Sequence, residues 1–478
     1  MECKILNNRQ FGFRQKHSTV HATINLLEAT LDGLDNRLKV GGIFLDVSKA
    51  FDCVPHRKLL RKLEFYGIRE NALMWFESYL SNRPQYVEVK GEKSEQYITD
   101  VGVPQGGVLS ALLFILFTND IVEASKTLEF SIYADDTCLI IAVDRKVYDE
   151  TLATELQKVI DWFSSNSLLL NIDKTEYIFF GPHYNKTYDK GEIDLKELHE
   201  VGPNFLFEHH DPKYEGPDHT VINKKGEFTM HDLHSITPLY VREEHIINDD
   251  GSLTLANSDV KYLGLFIDDK LKFKYHINII RSKINRLVGI FWKCVFLDIK
   301  TKKLIYQSLV ESHISYGIIT WCSEIGKNLM LGKDRDHIPD SLMPIKVVQN
   351  KVLRAIYGKS LKNKVNDEYT QSSPLYKDFE VLKFHDLYYF NLGVLAYEFF
   401  NSEHYPEAIK EKFTPQQHEQ YNLRNTLNLT YNVPQLIKSY KKPTIAATLM
   451  WNKIPKEIKV LSKKKFKVAL KKFFIDTY

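Results

Sequence analysis

Three aspartates at the ends of two short apolar segments carry the clearest chemical signal in the sequence. In SIYADDTCLIIAV, residues 131–143, two β-prone arms flank Asp135 and Asp136 and predict a hairpin with both carboxylates near its tip. In GGIFLDVSKAFDCVP, residues 41–55, an apolar strand ends at Asp46. A solvated turn is the usual setting for two adjacent aspartates. Here the arms are too apolar for an exposed hairpin, so we expect the pair to end a strand of a buried sheet.

Carboxylates that meet at the ends of neighbouring strands repel one another unless a cation lies between them. Hard oxygen ligands favour Mg²⁺ or Mn²⁺. A cluster of three carboxylates around two such ions suits in-line phosphoryl or nucleotidyl transfer, in which one ion activates the attacking hydroxyl and the other stabilises the leaving group. Asp46, Asp135 and Asp136 are therefore the predicted metal ligands.

A glycine-containing loop lies between the two carboxylate segments, in VGVPQGGVLSALLFILF, residues 101–117. Pro104 restricts the backbone, and Gly106 allows a ligand to approach it closely. An apolar helix is predicted immediately afterwards, so a ligand could contact its first N–H groups and the side chain of Gln105. The loop lacks the lysine of a Walker motif, and its position between the aspartates is what makes it a candidate.

The spacing of apolar residues predicts the elements that position these groups. Residues 1–180 have the pattern of dense mixed α/β structure, with strand-length segments at 42–45 and 177–180. Residues 108–117 are apolar on all sides and predict a buried helix. A short pair of strands is expected soon after Val260. Apolar residues three or four apart predict helices over 56–66, 71–80, 146–170, 302–319 and 345–356.

Composition narrows the class of protein. The 478 residues suggest two to four domains, and 44% hydrophobic with 26% charged residues are ordinary globular proportions. The longest apolar run has ten residues, short of the ~18 that a bilayer requires, so we expect no membrane contact. Five scattered cysteines and an N-terminus without a secretory signal favour a reducing compartment, the nucleus or the cytoplasm.

Charge is unevenly distributed along the chain. Residues 183–258 contain 15 acidic and 7 basic residues and eight of the 17 histidines, and we expect a partly ordered, acidic, histidine-rich insertion there. Residues 438–478 contain 12 lysines and two acidic residues. This basic segment predicts either a phosphate-binding surface or a solvated helix face, and the sequence does not distinguish the two.

The motifs occur in the order LDVSKAFD, GVPQGGVLSALLF, YADD, LNIDKTEYIFF and KYLGLFID. This order resembles the palm of reverse transcriptases, specifically those of non-LTR (LINE-type, jockey-like) retrotransposons. QFGFRQKHST, residues 10–19, is similar to the segment that opens the recognisable core of that group. Similarity to its later helical region and C-terminal tail continues in LVESHISYGIITW, IKVVQNKVLRAIYG and LMWNKIPKEIKVLSKKKFKVALKKFF, so only residues 183–258 lie outside the resemblance.

The resemblance implies an α+β fold of the right-hand polymerase type, with an antiparallel palm sheet and packed helices. Only nine residues precede Gln10, so the fingers are expected to be incomplete. The expected organisation is partial fingers in 1–39, the palm in 40–182, the insertion in 183–258, a primer-grip hairpin and thumb in 259–330, and a helical C-terminal region with a basic tail in 331–478.

The implied activity is that of an RNA-directed DNA polymerase, which joins deoxynucleotides from dNTPs to the 3′-hydroxyl of a DNA primer on an RNA template. The natural template would be the element RNA. Asp46, Asp135 and Asp136 would hold two Mg²⁺ ions, or Mn²⁺. Lys174 matches a lysine near the leaving pyrophosphate, a candidate general acid, and a solvated surface lysine is the alternative.

Other positions acquire roles only through the resemblance. Phe51 matches the bulky side chain that lies under the sugar and excludes a 2′-hydroxyl, and a core phenylalanine is the alternative. Gln105 and Gly106 would line the nucleotide and template site. Arg14 would brace the fingers against template or nucleotide. The hairpin of residues 262–267 would grip the primer end.

Two other hypotheses stay open. Because the fingers look incomplete and the endonuclease of full-length elements is missing, the chain could be a truncated, non-catalytic nucleic-acid-binding remnant, with an endonuclease supplied separately. Alternatively, the histidine-rich insertion could bind a transition metal. That site is the least supported of the three, because none of its histidine pairs has the helical i, i+4 spacing of catalytic zinc helices and the insertion contains no cysteine.

Overall fold

The computed structural model describes residues 5–171, 174–181, 245–247, 253–255, 259–358, 373–415 and 428–478. The predicted insertion therefore lies almost wholly outside the described residues. Within its bounds, His245–Ile247 and Leu253–Leu255 form a pair of antiparallel strands. The described chain mixes helices and strands, as expected for an α+β protein.

Residues 5–181 contain helices and strands in close alternation. They are α1 (Thr19–Asp35), β1 (Lys39–Leu45), α2 (His56–Phe65), α3 (Glu70–Leu80), β2 (Arg83–Gln85), β3 (Glu88–Val89), β4 (Glu92–Lys93), β5 (Tyr97–Thr99), α4 (Val108–Phe117), β6 (Glu129–Tyr133), β7 (Asp136–Val143), α5 (Tyr148–Ser165) and β8 (Glu176–Phe180). The helices predicted at 56–66, 71–80 and 108–117 are confirmed. The helix predicted over 146–170 is confirmed but shorter.

A four-stranded antiparallel sheet in the order β6-β7-β1-β8 organises this half of the chain. All seven residues of β1 are buried, as expected for a central strand that is covered on both faces. Alternate side chains point to opposite faces of a strand. Accordingly, Ile43 and Leu45 pack in the cluster that contains α4 and α5, whereas Phe44 packs in the cluster that contains α1.

The second half of the chain is mostly helical. After β9 (His245–Ile247) and β10 (Leu253–Leu255) come β11 (Val260–Tyr262), β12 (Leu265–Ile267), α6 (Lys274–Lys293), α7 (Ile299–Tyr306), α8 (Ser312–Ser315), α9 (Ile318–Trp321), α10 (Ser323–Met330), α11 (Met343–Ile356), α12 (Ser373–Phe379), α13 (Phe384–Asn401), α14 (Glu407–Lys410), β13 (Thr414–Pro415), β14 (Leu429–Thr430), α15 (Pro443–Lys453), α16 (Lys456–Lys459) and α17 (Lys463–Ile475). The predicted strand pair is β11 and β12, which form a separate two-stranded sheet. The helix predicted over 345–356 is confirmed as part of α11.

The helix predicted over 302–319 is confirmed only as far as Ser315. After α7, the chain passes through a π-helical turn at Gln307–Glu311 and the short α8, and it breaks at Gly317. The φ of Gly317 is 60°, in the left-handed region that glycine favours, and a side chain here would collide with Leu265. The apolar spacing continues through this break because α9 also buries its residues.

The C-terminal helices pack against the N-terminal half of the chain. Thr23 on α1 and Thr320 on α9 share a hydrogen bond of 2.9 Å, and Ser439 donates to the carbonyl of Leu31 at 3.2 Å. Asp32 on α1 pairs with Lys442 at 2.8 Å. These contacts connect α1 to elements some 300 to 400 residues later. In the part of the chain that the structure describes, no helix combines the length and apolarity needed to cross a bilayer.

Candidate functional site

The sheet brings the three aspartates to one end of the central strands. Tyr133 and Asp136 form the closing pair of the β6–β7 hairpin, so Asp135 lies in its two-residue turn, as predicted. Leu45 on β1 pairs with Thr137 on β7. The same antiparallel register, continued by one residue, sets Asp46 opposite Asp136, and such opposed Cα atoms lie about 4.5–5.5 Å apart.

The electrostatics of Asp136 reflect this crowding. Partial burial raises the pKa of its carboxyl, and the negative charges of Asp135 and Asp46 raise it further. The positive charge of Lys261 on β11 lowers the pKa of Asp136 and so offsets part of this effect. The side chains of Asp135 and Asp136 nevertheless reach solvent, and that of Asp46 is half-buried. The site is therefore an open, negatively charged end of a buried sheet.

The donor chemistry of this end fits a hard divalent cation, because it consists of carboxylate oxygens that repel one another. The side chains do not converge, however. Among the residues that the structure describes, no group of three or more His, Cys, Asp or Glu side chains is arranged to hold a metal ion. The predicted cluster of three ligands is thus present as neighbouring positions and not as a closed coordination shell.

Phe51 lies in the segment that follows β1, and its ring packs against α4. Its ring stacks on Phe114 of α4, with centroids 4.4 Å apart and planes inclined by 24°. Its carbonyl accepts a hydrogen bond from the N–H of Val103 at 2.8 Å. The side chain is half-buried, so one part of it packs in the core and another part is accessible.

The predicted glycine loop is tied to the segment that follows β1. The Nε2 of Gln105 donates to Asp52 at 2.7 Å, next to Phe51 in sequence. Gln105 and Gly106 are exposed, and the φ of Gly106 is 82°. The hydroxyl of Ser110 donates to the carbonyl of Pro104, which closes the loop onto the first turn of α4. The loop and Phe51 thus form one continuous surface near the aspartates.

Lys174 lies on the segment that borders Asp46. The N–H of Asn171 donates to the carbonyl of Asp46 at 2.8 Å, and the N–H of Lys174 donates to the carbonyl of Asn171 at 3.2 Å. The side chain of Lys174 is exposed. The backbone therefore brings this lysine to the same end of β1 as the aspartate.

Arg14 has an internal role. Its Nη1 donates to the carbonyls of Asn7 and Gln10, at 2.6 and 3.0 Å, and burial lowers the pKa of the guanidinium. These bonds hold the loop of residues 7–14 in shape. Sequence reasoning missed the neighbouring Gln10, whose buried side chain accepts a hydrogen bond from the N–H of Ala134, immediately before Asp135. The only sequence signal for Gln10 was its place at the start of the QFGFR segment.

The hairpin β11–β12 has a tight turn at its tip. Leu263 and Gly264 both have positive φ, as a two-residue type I′ turn requires. Tyr262 is buried, and its hydroxyl donates to the carbonyl of Ser131 on β6 at 2.9 Å. At the tip, the hydroxyl of Tyr316 donates to the carbonyl of Leu263 at 2.6 Å. The hairpin is therefore fixed at its turn, through Tyr262 to β6 and through the carbonyl of Leu263 to the helical region.

The basic C-terminal segment is largely engaged in packing. Lys441 pairs with Glu324 at 2.6 Å, and Lys463 pairs with Glu398 at 2.5 Å. Phe466 and Phe474 on α17 are 0% and 1% exposed. These two rings therefore pack inward and anchor an amphipathic helix to the core. Exposed lysines remain on the outer face of α17, among them Lys464, Lys465 and Lys472.

A second basic element, α6, was not singled out from the sequence. It carries five basic residues and no acidic residue, and all five basic side chains are exposed. They are Lys274, Arg281, Lys283, Arg286 and Lys293. Lys283 contributes to the lowered pKa values of His276 and His313, after burial. This helix is a positively charged surface that follows directly on β12.

Comparison with known proteins gives consistent results. The family described as "Reverse transcriptase (RNA-dependent DNA polymerase)" matches residues 1–267. Over 153 residues, the chain is 35% identical to the probable RNA-directed DNA polymerase from transposon BS of Drosophila melanogaster. This aligned region covers 29% of this chain and 16% of that protein. Over 370 residues, the chain is 25% identical to the RNA-directed DNA polymerase from mobile element jockey of the same species. This alignment covers 74% of this chain and 32% of the relative.

The chain thus spans a third or less of the length of these relatives. Among solved structures, telomerase from Candida albicans, in complex with a TWJ fragment of telomeric RNA, superposes with a TM-score of 0.29 at 15% sequence identity. That superposition covers 83% of this chain and 52% of the telomerase chain. A superposition at this score carries no argument about function.

Proposed function

The chain belongs to the reverse transcriptase (RNA-dependent DNA polymerase) family, and from this premise we propose that it is an RNA-directed DNA polymerase of a jockey-like, non-LTR retrotransposon. It would join deoxynucleotides from dNTPs to the 3′-hydroxyl of a DNA primer on an RNA template. The observation that carries the proposal is the pairing of Leu45 with Thr137, which brings the adjacent residues Asp46 and Asp136 to the same end of the sheet, next to Asp135 in the hairpin turn. The natural template would be the element RNA, and a separate endonuclease could prepare the primer end.

Asp46, Asp135 and Asp136 would hold the divalent ions, since members of the family generally use metals such as Mg²⁺. When bound, such ions lower the pKa of an attacking hydroxyl and offset the charge of a triphosphate. The chain itself supplies the rigid strands that keep the carboxylates at one end of the sheet. Lys261 partly offsets their mutual repulsion before any cation is present.

Phe51 would select the sugar. Its ring rests on Phe114 and cannot recede, and the half-buried side chain leaves part of the ring accessible, as a barrier against a 2′-hydroxyl would require. Gln105, held by Asp52, and Gly106 would line the nucleotide and template site. Lys174 would protonate the leaving pyrophosphate from the segment beside Asp46. Arg14 would act indirectly, through the loop that it holds.

The architecture would be that of a right hand. The four-stranded sheet with α4 and α5 would be the palm, and residues 1–39 would be part of the fingers. The β11–β12 hairpin would support the primer end, and the helices from α6 onward would form the thumb and C-terminal region. The five exposed basic residues of α6 would contact the phosphates of the primer–template duplex.

A non-catalytic, nucleic-acid-binding remnant is the second candidate. The observation that supports it is the exposed basic surface of α6, because this surface would bind nucleic acid whether or not the carboxylates hold a metal ion.

Primer extension separates the two candidates. The full 478-residue chain is incubated with a DNA primer on an RNA template, dNTPs and Mg²⁺, and binding of the same duplex is followed by fluorescence anisotropy. A polymerase binds and extends the primer, and extension stops when EDTA removes the metal. A remnant binds the duplex with comparable affinity and leaves the primer unextended at any Mg²⁺ or Mn²⁺ concentration. Absence of both binding and extension contradicts both candidates.

A further inference from the structure

The hairpin turn that carries Asp135 is held by a segment from outside the hairpin. β6 is an edge strand of the sheet, and residues 9–12 cover its open side. Gln10 forms a parallel bridge with Ile132. The N–H of Phe11 donates to the carbonyl of Ile132 at 2.7 Å, and the N–H of Ile132 donates to the carbonyl of Arg9 at 3.0 Å. Residues 9–12 thus extend the hydrogen bonding of the sheet by an isolated bridge close to the turn.

The side chain of Gln10 extends this contact to the turn itself. Gln10 is 2% exposed, and its Oε1 accepts hydrogen bonds from the N–H of Ala134 at 3.1 Å and from the N–H of Gly12 at 2.7 Å. One amide oxygen therefore satisfies two buried donors. If this oxygen were removed, the N–H groups of Ala134 and Gly12 would each lose this hydrogen bond while buried, which would destabilise the folded turn.

Ala134 needs such support because its backbone is strained. Its φ is 61°, in the left-handed region that residues with a Cβ seldom adopt. A strained conformation persists only where the surrounding contacts determine it. The next residue along the chain is Asp135, so the direction of its carboxylate depends on the conformation of Ala134.

Gly12 allows the close contact. A Cβ at this position would overlap the backbone nitrogen of Ala134 and approach the Oε1 of Gln10 to 3.1 Å. Any larger residue would push the turn away from the segment that supports it. The glycine is therefore required by the packing between the loop and the turn.

We propose that Gln10 and Gly12 are positioning residues that set the geometry of Asp135 from outside the palm hairpin. The inference rests on the proposed polymerase function for its effect on catalysis, but the support of the turn is independent of that function. Neither residue touches substrate. Their loss should therefore change the rate of the chemical step more than the affinity for nucleotide or duplex.

The first test measures the turn itself. In Gln10→Met, which removes the acceptor at similar size, hydrogen–deuterium exchange of the peptide that contains Ala134 should accelerate at least tenfold in the full-length protein. The matched control is Gln349→Met, the same substitution at an equally buried glutamine. The Oε1 of Gln349 also accepts a hydrogen bond from a backbone N–H, that of Phe384 at 2.9 Å, and its hydrogen-bond partners lie in the helical second half of the chain. Equal exchange in Gln10→Met and wild type would overturn the inference.

The second test measures catalysis in single-nucleotide extension. Gln10→Met should lower kcat at least tenfold and leave the KM for dNTP and the Kd for duplex within twofold of wild type, whereas Gln349→Met should change kcat less than threefold. Equal losses in both variants, or a loss confined to KM, would overturn the positioning role. Gly12→Ala, which removes no hydrogen bond, should reproduce the kcat loss even if Gln10→Met fails to fold.

The two tests also separate this inference from the proposed function. If the wild-type chain extends no primer, the polymerase proposal fails, and exchange at Ala134 alone decides whether Gln10 supports the turn. If the wild type extends primers and Gly12→Ala does so at the same rate, the polymerase proposal stands and the positioning role is wrong.

Discussion

The Oε1 of Glu28 accepts hydrogen bonds from both the backbone N–H and the hydroxyl of Thr444, each at 2.7 Å. Glu28 lies on α1, in the N-terminal half, and Thr444 lies in the first turn of α15, in the C-terminal region. Both residues are buried, and burial raises the pKa of the Glu28 carboxyl. The two ends of the chain therefore share a buried polar contact and form one packed unit.

Replacing Thr444 by valine should destabilise the fold by about 1–3 kcal/mol, because it leaves the buried carboxyl of Glu28 with one hydrogen bond fewer. Urea unfolding measures the free energy directly. Thr430→Val is the control, since Thr430 is an exposed strand residue. Its effect should stay within about 0.5 kcal/mol. Equal effects of the two substitutions would show that the contact does not couple the halves.

Stability should depend on pH through His276. Its ring is buried with neither nitrogen hydrogen-bonded, and burial, then Lys283, lowers its pKa from 6.5 to about 4. Between pH 6.5 and about 4, His276 is therefore protonated more in the unfolded chain than in the folded protein. The contribution of the neutral ring to the free energy of unfolding is fully present above pH 6.5 and is lost as the pH falls towards 4. The loss is at most about 3 kcal/mol for this one group.

Comparison of urea unfolding at pH 7 and pH 5 tests this dependence. His276→Leu removes the titrating ring, and it should narrow the difference in the free energy of unfolding between the two pH values. Burial and the charge of His17 also lower the pKa of His21 to about 4, so part of the dependence should persist in the variant. An unchanged difference would contradict the role of His276.

Substitution Asp135→Asn should abolish extension and leave the fold intact, because the side chain reaches solvent and, in the proposed site, would serve the ions more than the core. Loss of a metal ligand costs several kcal/mol of transition-state stabilisation, so the rate should fall by at least about 10²-fold. Asp144→Asn is the control, since Asp144 is an exposed aspartate that follows the opposite end of β7. A variant at Asp135 that extends primers at the wild-type rate would remove this residue from the site.

Substitution Phe51→Ala should relax sugar selection. The preference for dNTP over rNTP, measured as a ratio of kcat/KM values, should fall by about 10- to 200-fold, the range typical of one steric contact. Phe65→Ala, at a residue that is 85% exposed on α2, should leave the ratio unchanged. If Phe51→Ala only unfolds the protein, the stacking on Phe114 is its whole role and the assignment as a barrier is wrong.

The sequence predicted the carboxylate end of the sheet because the evidence for it is local. Strand-length apolar runs ending in Asp46 and Asp135 determine both elements and their polar ends. The break at Gly317 was not predictable from spacing, since buried residues continue on both sides of it. The bond from Ala134 to Gln10 joins residues 124 positions apart, and a single sequence carries no signal for such a pairing.

The basic tail illustrates the same limit. The sequence left open whether the tail binds phosphate or forms a solvated helix face, because it does not reveal what the apolar residues of the tail contact. In the structure, Phe466 stacks on Tyr397 of α13 with ring centroids 4.2 Å apart. Truncating α17 would therefore unfold the C-terminal region, so its contribution to binding must be tested by substitutions at exposed lysines.

The final prediction is that α6, rather than the tail, supplies most of the phosphate contacts. Arg281, Lys283 and Arg286 are exposed on one helix that has no acidic residue, whereas the lysines at the start of the tail are paired with Glu324 and Asp32. Each cation that neutralises a phosphate steepens the salt dependence by ~0.7 to 0.9 in log K per log salt. Replacing the three residues of α6 by glutamine should therefore flatten the slope by about 2.

The matched variant replaces Lys464, Lys465 and Lys472, three exposed lysines of α17, by glutamine and thus removes the same charge. Duplex affinity is measured by fluorescence anisotropy between 50 and 200 mM salt, the range in which phosphate contacts dominate the change. If only the α6 variant flattens the salt dependence, α6 binds the phosphates of the duplex and the tail helix serves only to pack against the protein. Equal flattening in the two variants would mean that both helices contribute equally to phosphate binding, and it would contradict the prediction that α6 contributes most. Flattening in the α17 variant alone would move the nucleic-acid surface to the tail and contradict the assignment of α6.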